Sequence, residues 1–194
     1  MMSIIAGVDE VGRGALFGPV VAGAVILTEP VAEQLRQSGV TDSKKLSPLK
    51  REQLYPLILT SAIDCQIGIG SVQEIDRINI LQASLLAMHR AIARLSPQPT
   101  LCLIDGNQPV AGLYMAQRSI IQGDQHSTHI AAASIIAKVW RDRLITRLAK
   151  RFAGYDLASN KGYGTPKHRA ALKQIGATRQ HRLSFKICQQ SRLI

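Results

Sequence analysis

The chain has 194 residues, 46% of them hydrophobic, which is enough apolar material for one ordinary domain with a sizeable core and too much for a disordered chain. Its longest apolar stretch, residues 15–27, is broken by Gly18, Pro19 and Gly23 and is too short to cross a bilayer, and Asp9 and Glu10 interrupt any signal-peptide core, so a soluble cytoplasmic protein with no membrane partner is expected. The net charge of +11 is unevenly held: residues 138–194 carry 14 Lys/Arg against 2 Asp/Glu, while the first 137 residues sum to −1, a division that favours a polyanion such as nucleic acid gripped by the C-terminal third.

Ile4, Ile5, Ala6 and Val8 read as a buried strand that ends in two adjacent carboxylates, Asp9 and Glu10. Gly12-Arg13-Gly14 makes a turn in which backbone N–H groups approach a ligand closely, and Val20 to Leu27 returns through the core as a second strand. Residues 31–37 are helical and closed by Gly39. Thr41 to Pro48 is a loop delivering Lys44 and Lys45. Ser47 is an N-cap with Pro48 at the first helical position, so a helix runs to about Leu59.

Ile63 to Ser71 alternates Ile63, Cys65, Ile67 and Ile69 with Asp64, Gln66, Gly68 and Gly70, the pattern of a strand with its isoleucine face buried. Gln73 to Leu95 is helical by its three- and four-residue apolar spacing, and the Ser-Pro-Gln-Pro run at 96–99 ends it. Thr100 to Gly106 is a short continuous apolar run, read as a strand buried on both faces and ending in Asp105. Residues 119–122 form a further strand-like piece leading to Gly123-Asp124. A long helix then starts near Ser127 or Thr128, and its Ala131 to Ser134 run lets it lie close to a sheet. A shorter helix spans Pro166 to Ile175. Cys65, Cys102 and Cys188, with no Cys-x-x-Cys pair, read as small buried residues in a reducing compartment.

Asp9, Glu10, Asp105 and Asp124 share a position, each lying where an apolar segment leaves the core. Carboxylates that converge repel one another unless a cation neutralises them, and hard oxygen donors with no Cys/His pattern point to Mg²⁺ or Mn²⁺. The competing reading of any single acid is a helix cap or a solvated loop residue. Successive strand side chains face opposite ways, so for Asp9 and Glu10 to act together the strand must end or bend there. Asp124, His126 and His129 also have the chemistry of a zinc site, but two histidines at one helix start are more often surface residues. Tyr163, between Gly162 and Gly164, suits stacking on a sugar or base.

In order along the chain, the segments 7–14, 18–21, 42–46, 103–106, 123–124, 130–139, 141–142, 161–165, 181–182 and 184–185 resemble ribonuclease HII, the type 2 ribonuclease H. The resemblance implies an α/β ribonuclease H-like fold, a mixed five-stranded sheet flanked by helices with a small helical C-terminal part. It implies a catalytic domain over 1–152 and a basic segment over 153–194 that completes the substrate cleft. It further implies cleavage of the RNA strand of RNA–DNA hybrids and incision 5′ of single ribonucleotides in duplex DNA, leaving 3′-hydroxyl and 5′-phosphate ends. Asp9, Glu10, Asp105 and Asp124 match the family's metal-binding acids, and Gly12, Arg13 and Gly14 match its reader of the ribose 2′-hydroxyl. Tyr163 matches its junction tyrosine, and Lys44 and Lys45 fall in a motif placed at the substrate backbone. A monomer is expected, and Gln190 to Ile194 loosely resembles motifs that dock on sliding clamps.

Overall fold

Apolar alternation and glycine punctuation build the centre of the protein first. In the computed structural model, which describes residues 4–189, β1 (Ile5–Val11), β2 (Val20–Leu27), β3 (Asp64–Gly70), β4 (Leu101–Asp105) and β5 (Ala116–Ile120) form one sheet in the order β3-β2-β1-β4-β5. β2 is antiparallel to both β1 and β3, whereas β4 runs parallel to β1 and β5 parallel to β4. The sheet is therefore mixed and five-stranded, with helices on both faces. The tail over residues 190–194, where the clamp-like motif falls, lies outside the described residues.

One face is covered by α3 (Val72–Ile92), the other by α1 (Glu29–Gln37), α2 (Pro48–Ser61) and α5 (Thr128–Ala149). Ser47 caps α2 with Pro48 in its first turn, Ser71 and Glu74 form a reciprocal capping box on α3, and Ser127 caps α5, so each long helix starts where its side-chain chemistry satisfies the first free N–H groups. α5 rides close on β1 and β2, as its alanine run predicts: a Cβ on Gly23 would lie 2.5 Å from the Ala133 carbonyl oxygen. No helix among the described residues is long and apolar enough to cross a membrane.

Four expectations are corrected. β1 does not end at its acids but runs one residue past Glu10, to Val11, because β2 pairs with it as far as Val11↔Val21. In β3 the glycines, not the isoleucines, are the buried positions: α3 packs so closely that a Cβ on Gly68 would meet the Ala87 carbonyl oxygen at 1.9 Å, while Cys65 and Ile67 are half-buried on the other face. β4 buries Cys102 and Ile104 but leaves Leu101 and Leu103 half-covered, since α5 lies over β1 and β2 and reaches β4 only at its margin. β5 starts earlier than its sequence signal, at Ala116. α3 also carries a kink at Asn79, whose φ of 67° is left-handed.

The C-terminal part contains α6 (Leu157–Asn160), α7 (Pro166–Ile175) and α8 (Lys186–Gln189) around a third apolar cluster that includes Leu16, Phe17, Ile145, Tyr155 and Leu172. It is stitched to the sheet by polar contacts as well. The Asp76 carboxylate accepts from the Leu183 and Ser184 amides and from the Ser184 hydroxyl. Ala15 bridges Tyr163, and Phe17 bridges His181.

Candidate active site

Parallel pairing places the acids together. Val8 of β1 lies opposite Ile104 of β4, so Asp9 and Asp105 are neighbours at the carboxyl ends of adjacent parallel strands, the end at which such sheets bind ligands. Asp105 pairs with Ile120 of β5, and its Oδ1 accepts from the Gly123 amide at 2.7 Å, which draws the start of α4 (Gly123–His126), and with it Asp124, to the same edge.

Asp9, Glu10 and Asp105 each offer a carboxylate oxygen within 4.8 Å of the other two, the one such grouping among the described residues. The alternation problem is met by the acids' own conformations: Asp9 Oδ1 curls back to accept from the Glu10 amide at 2.7 Å. Burial, reinforced by the charges of Glu10 and Asp105, pushes the Asp9 carboxyl well above the ordinary range, against hydrogen bonds from Ser134 and the Glu10 amide. Burial likewise raises Glu10, with Asp105 adding to it, although the Arg13 guanidinium 3.0 Å away pulls the other way. Three oxygens this close, two of them in carboxyls whose ionisation is opposed, fit a hard divalent cation better than they fit one another.

Asp124 stands beside this group. Its Oδ2 is 3.4 Å from Lys44 Nζ, and its carboxyl is raised by burial and by Asp42 and Asp105, with Lys44 opposing. Burial alone would lower Lys44, but the charges of Asp124 and Asp9 outweigh it and hold the ammonium charged. Lys44 thus leans into the acidic edge, while exposed Lys45 lies 3.9 Å from Asp42. Among the described residues His126 is exposed and His129 is buried, and neither shares a ligand cluster with Asp124.

The glycine turn sits immediately after β1. Gly12 has φ 88°, a conformation side chains rarely adopt, and a Cβ there would lie 2.2 Å from Arg141 Nε, whereas a Cβ on Gly14 would meet nothing within 4 Å. Arg13 and Gly14 are exposed. Tyr163, half-buried, is joined to the turn through its bridge with Ala15, and its ring lies 5.4 Å from Lys138 Nζ and 5.7 Å from Arg141 Cζ, within the reach of cation–π attraction.

Two buried arginines hold this surface in place. Arg141 donates to the carbonyls of Phe17, Pro19 and Lys161, each at 2.9 Å. Arg182 donates to the carbonyls of Arg13, at 2.7 Å, and Gly18, at 3.0 Å. Sequence reasoning counted both among the polyanion-binding charges, and no periodicity marks a guanidinium that serves backbone carbonyls instead. Ser134, which meets Ser43 at 2.8 Å beside Asp9, falls in the sequence within a small-residue run and a family-like segment, neither of which gives it a role.

A sequence model described as ribonuclease HII matches residues 6–188. A curated relative named ribonuclease HII, from Acaryochloris marina, is 62% identical over 97% of this chain and 96% of its own length. The crystal structure of the ribonuclease H2 from Pyrococcus horikoshii OT3 is similar with a TM-score of 0.81 at 28% identity, covering 96% of each chain. A structure of the PCNA:RNase HII complex from Archaeoglobus fulgidus is similar with a TM-score of 0.80 at 28% identity, over 94% of this chain and 95% of that one.

Proposed function

The chain belongs to the ribonuclease HII family and is a ribonuclease H acting on RNA–DNA substrates, and from that premise we propose that it is a metal-dependent endonuclease that removes ribonucleotides from DNA. It cleaves the RNA strand of hybrids and incises 5′ of single ribonucleotides embedded in duplex DNA, leaving 3′-hydroxyl and 5′-phosphate ends. It works in the cytoplasm as a monomer. The observation that carries this reading is the convergence of Asp9, Glu10 and Asp105 within 4.8 Å, beside a glycine turn that is bridged to Tyr163.

Asp9, Glu10, Asp105 and Asp124 would hold Mg²⁺ or Mn²⁺. Such ions, when bound, activate water and stabilise the leaving oxygen of a phosphodiester. The protein's own groups do the rest. Burial and mutual repulsion keep the three clustered carboxylates poised for a cation, and Lys44 holds Asp124 until a ligand competes for it. Telling RNA from DNA requires sensing the 2′-hydroxyl; the turn at Gly12, Arg13 and Gly14 does this, with Gly14 open to an incoming sugar and the Arg13 carbonyl fixed from behind by Arg182. The Tyr163 ring packs on the deoxyribose that follows. Lys44 and Lys45 lie along the substrate backbone, and the basic C-terminal segment from residue 153, described to residue 189, completes the cleft.

The test is cleavage of labelled duplexes with zero, one or four embedded ribonucleotides, with Mg²⁺ or Mn²⁺ and then with chelator. Metal-dependent incision 5′ of the lone ribonucleotide, with all-DNA duplex untouched, is the expected result. Cutting of the four-ribonucleotide duplex alone would remove the junction role from Gly12, Arg13, Gly14 and Tyr163. Binding without cutting under either metal would overturn the proposal.

A further inference from the structure

His168 on α7 and His181 in the loop beyond it are 0% and 1% exposed, and neither has a part in the chemistry described above. A neutral imidazole has one donor and one acceptor nitrogen, so its neighbours dictate its tautomer. Here one backbone amide dictates two. The Thr178 N–H donates to His181 Nδ1 at 2.9 Å, which leaves the His181 proton on Nε2. That nitrogen lies 3.1 Å from His168 Nε2, which must therefore accept, and His168 carries its own proton on Nδ1, donated to the Tyr163 carbonyl at 3.0 Å. The result is a directed relay running from Thr178 through both rings to the backbone of Tyr163.

Its two ends are anchored on the same short segment. Around His181, the Gly18 amide donates to the Gln180 carbonyl and the Arg182 amide to the Leu16 carbonyl, while Tyr163 bridges Ala15. The relay thus closes a ring between the residues that follow Gly14 and the tyrosine that faces them. We propose that the Thr178–His181–His168 relay holds Tyr163 in register with the Gly12–Gly14 turn, so that His168 and His181 are positioning residues for choosing a lone ribonucleotide in duplex DNA over a tract of RNA. This rests on the junction role given above to Tyr163 and the turn.

The relay works only with both rings neutral. A second proton on His168 would set N–H against N–H at 3.1 Å, and one on His181 would set Nδ1–H against the Thr178 amide. The groups facing the pair are the Phe17 ring, 5.0 Å from His181, and the Tyr155 ring, 4.7 Å from His181 and 5.9 Å from His168, with its hydroxyl on the Gly176 carbonyl. The Thr178 hydroxyl also lies 3.0 Å from His181 Nδ1, and the charged group facing them is Asp156, whose charge favours a cation at His168. Burial outweighs that charge, and both histidines fall below the ordinary value, His181 to about 4.

Nitrogen-15 spectra of the wild-type imidazoles test the relay whether or not any variant folds. The expected result is an Nε2–H tautomer at His181, an Nδ1–H tautomer at His168, no titration of His181 between pH 6 and 7, and a His168 midpoint below the ordinary histidine value. The opposite tautomers, or an ordinary histidine titration, would overturn the proposal. In parallel, His168→Phe, which keeps ring volume but cannot hydrogen-bond, is expected to lower kcat/KM on the one-ribonucleotide duplex roughly fivefold to tenfold, the scale of one lost hydrogen bond. A continuous RNA–DNA hybrid, whose RNA strand offers no following deoxyribose, should be cut nearly as before, and His168→Asn, which can still donate to the Tyr163 carbonyl, should recover part of the loss. Equal losses on both duplexes would mean a merely structural role and would overturn it. Tyr163→Ala separates the layers: if it leaves the preference unchanged, the junction reading itself fails, and if it removes the preference while His168→Phe does not, the relay alone fails.

Discussion

Replacing Arg141 by methionine keeps most of its volume and removes its guanidinium, which makes the energetic accounting direct. The side chain is fully buried and forms no ion pair among the described residues, with the charge of Asp142 acting on it from nearby; it is solvated by three backbone carbonyls at 2.9 Å and by the face of Tyr163. Hydrogen bonds from a charged donor contribute about 1.5–3 kcal/mol each, so the three together are worth roughly 4.5–9 kcal/mol. Against that stands the cost of keeping a guanidinium out of water, several kcal/mol, which burial already expresses by lowering its pKa. The net loss is about 2–4 kcal/mol, because the carbonyls of Phe17, Pro19 and Lys161 lose their partner. For a chain of this size about 3 kcal/mol lowers Tm by roughly 6–12 °C. Urea and thermal unfolding followed by far-UV circular dichroism measure it. Arg141→Lys should recover little, since one ammonium does not span three carbonyls spread over the Phe17–Pro19 segment and Lys161. A Tm within 2 °C of wild type would show that the carbonyls are satisfied without Arg141 and would refute the view that it staples the turn to the Tyr163 segment.

Asp105→Asn should reduce cleavage at least about a hundredfold, since even groups behind metal ligands cost 10–100-fold when removed, while leaving hybrid affinity near wild type in a filter-binding or anisotropy assay; normal turnover would take Asp105 out of the metal site. Gly68→Ala forces a Cβ into the Ala87 carbonyl and should destabilise by about 1–3 kcal/mol through overpacking, read as a lower urea midpoint at constant m-value. His181 is neutral in the folded state down to about pH 4 but takes up a proton near the ordinary histidine value of 6.5 when unfolded, so its contribution is complete above pH 6.5 and is lost as pH falls toward 4, by at most about 3 kcal/mol. The raised carboxyls of Asp9, Glu10 and Asp124 shift stability in the opposite sense, so the histidine share is the difference between wild type and His181→Phe at each pH; a flat difference between pH 4 and 6.5 would contradict it.

What was legible in the sequence follows the physics that leaves a local trace. Capping pairs, proline positions and apolar periodicity placed α2, α3, α5 and α7 close to their observed bounds, and acids at the ends of apolar runs marked Asp9, Glu10, Asp105 and Asp124. Glycines within β3 left no trace that distinguishes a solvent-facing position from one pressed against a helix, because both tolerate a missing side chain. The sequence signal for β5 starts late because its first residues, Ala116-Gln117-Arg118, look polar; as an edge strand it needs only one covered face. The histidine relay had no signal, since two residues 13 apart on different elements share neither a period nor a motif spacing. Asp124 shows the limit at the site: its place at the edge was readable, but its partnership with Lys44, 80 residues away, depends on how the loop at 42–45 folds over it.

The same limit changes how the basic C-terminal third should be understood. The sequence presents its charge as one surface, yet the structure divides it. Arg141 and Arg182 serve backbone carbonyls, Lys138 is bound to Asp142, Arg143 to Glu52, and Lys161 donates to the Thr146 hydroxyl and the Ala158 carbonyl. Eight of the thirteen described Lys/Arg between 138 and 189 remain exposed without a carboxylate partner, among them Arg147, Lys167 and Lys173. Only these are free to displace counterions from a duplex, where each phosphate neutralised contributes about 0.9 to the slope of log K against log salt. Arg141→Met should therefore lower stability without altering that slope for hybrid binding, whereas glutamine at an exposed position that meets the duplex should reduce it by up to about 0.9. A slope that falls by about one unit in the Arg141 variant would mean that the guanidinium reaches a phosphate in the complex. In that case the buried arginines would belong to the grip after all, and the turn would have to open for substrate to bind.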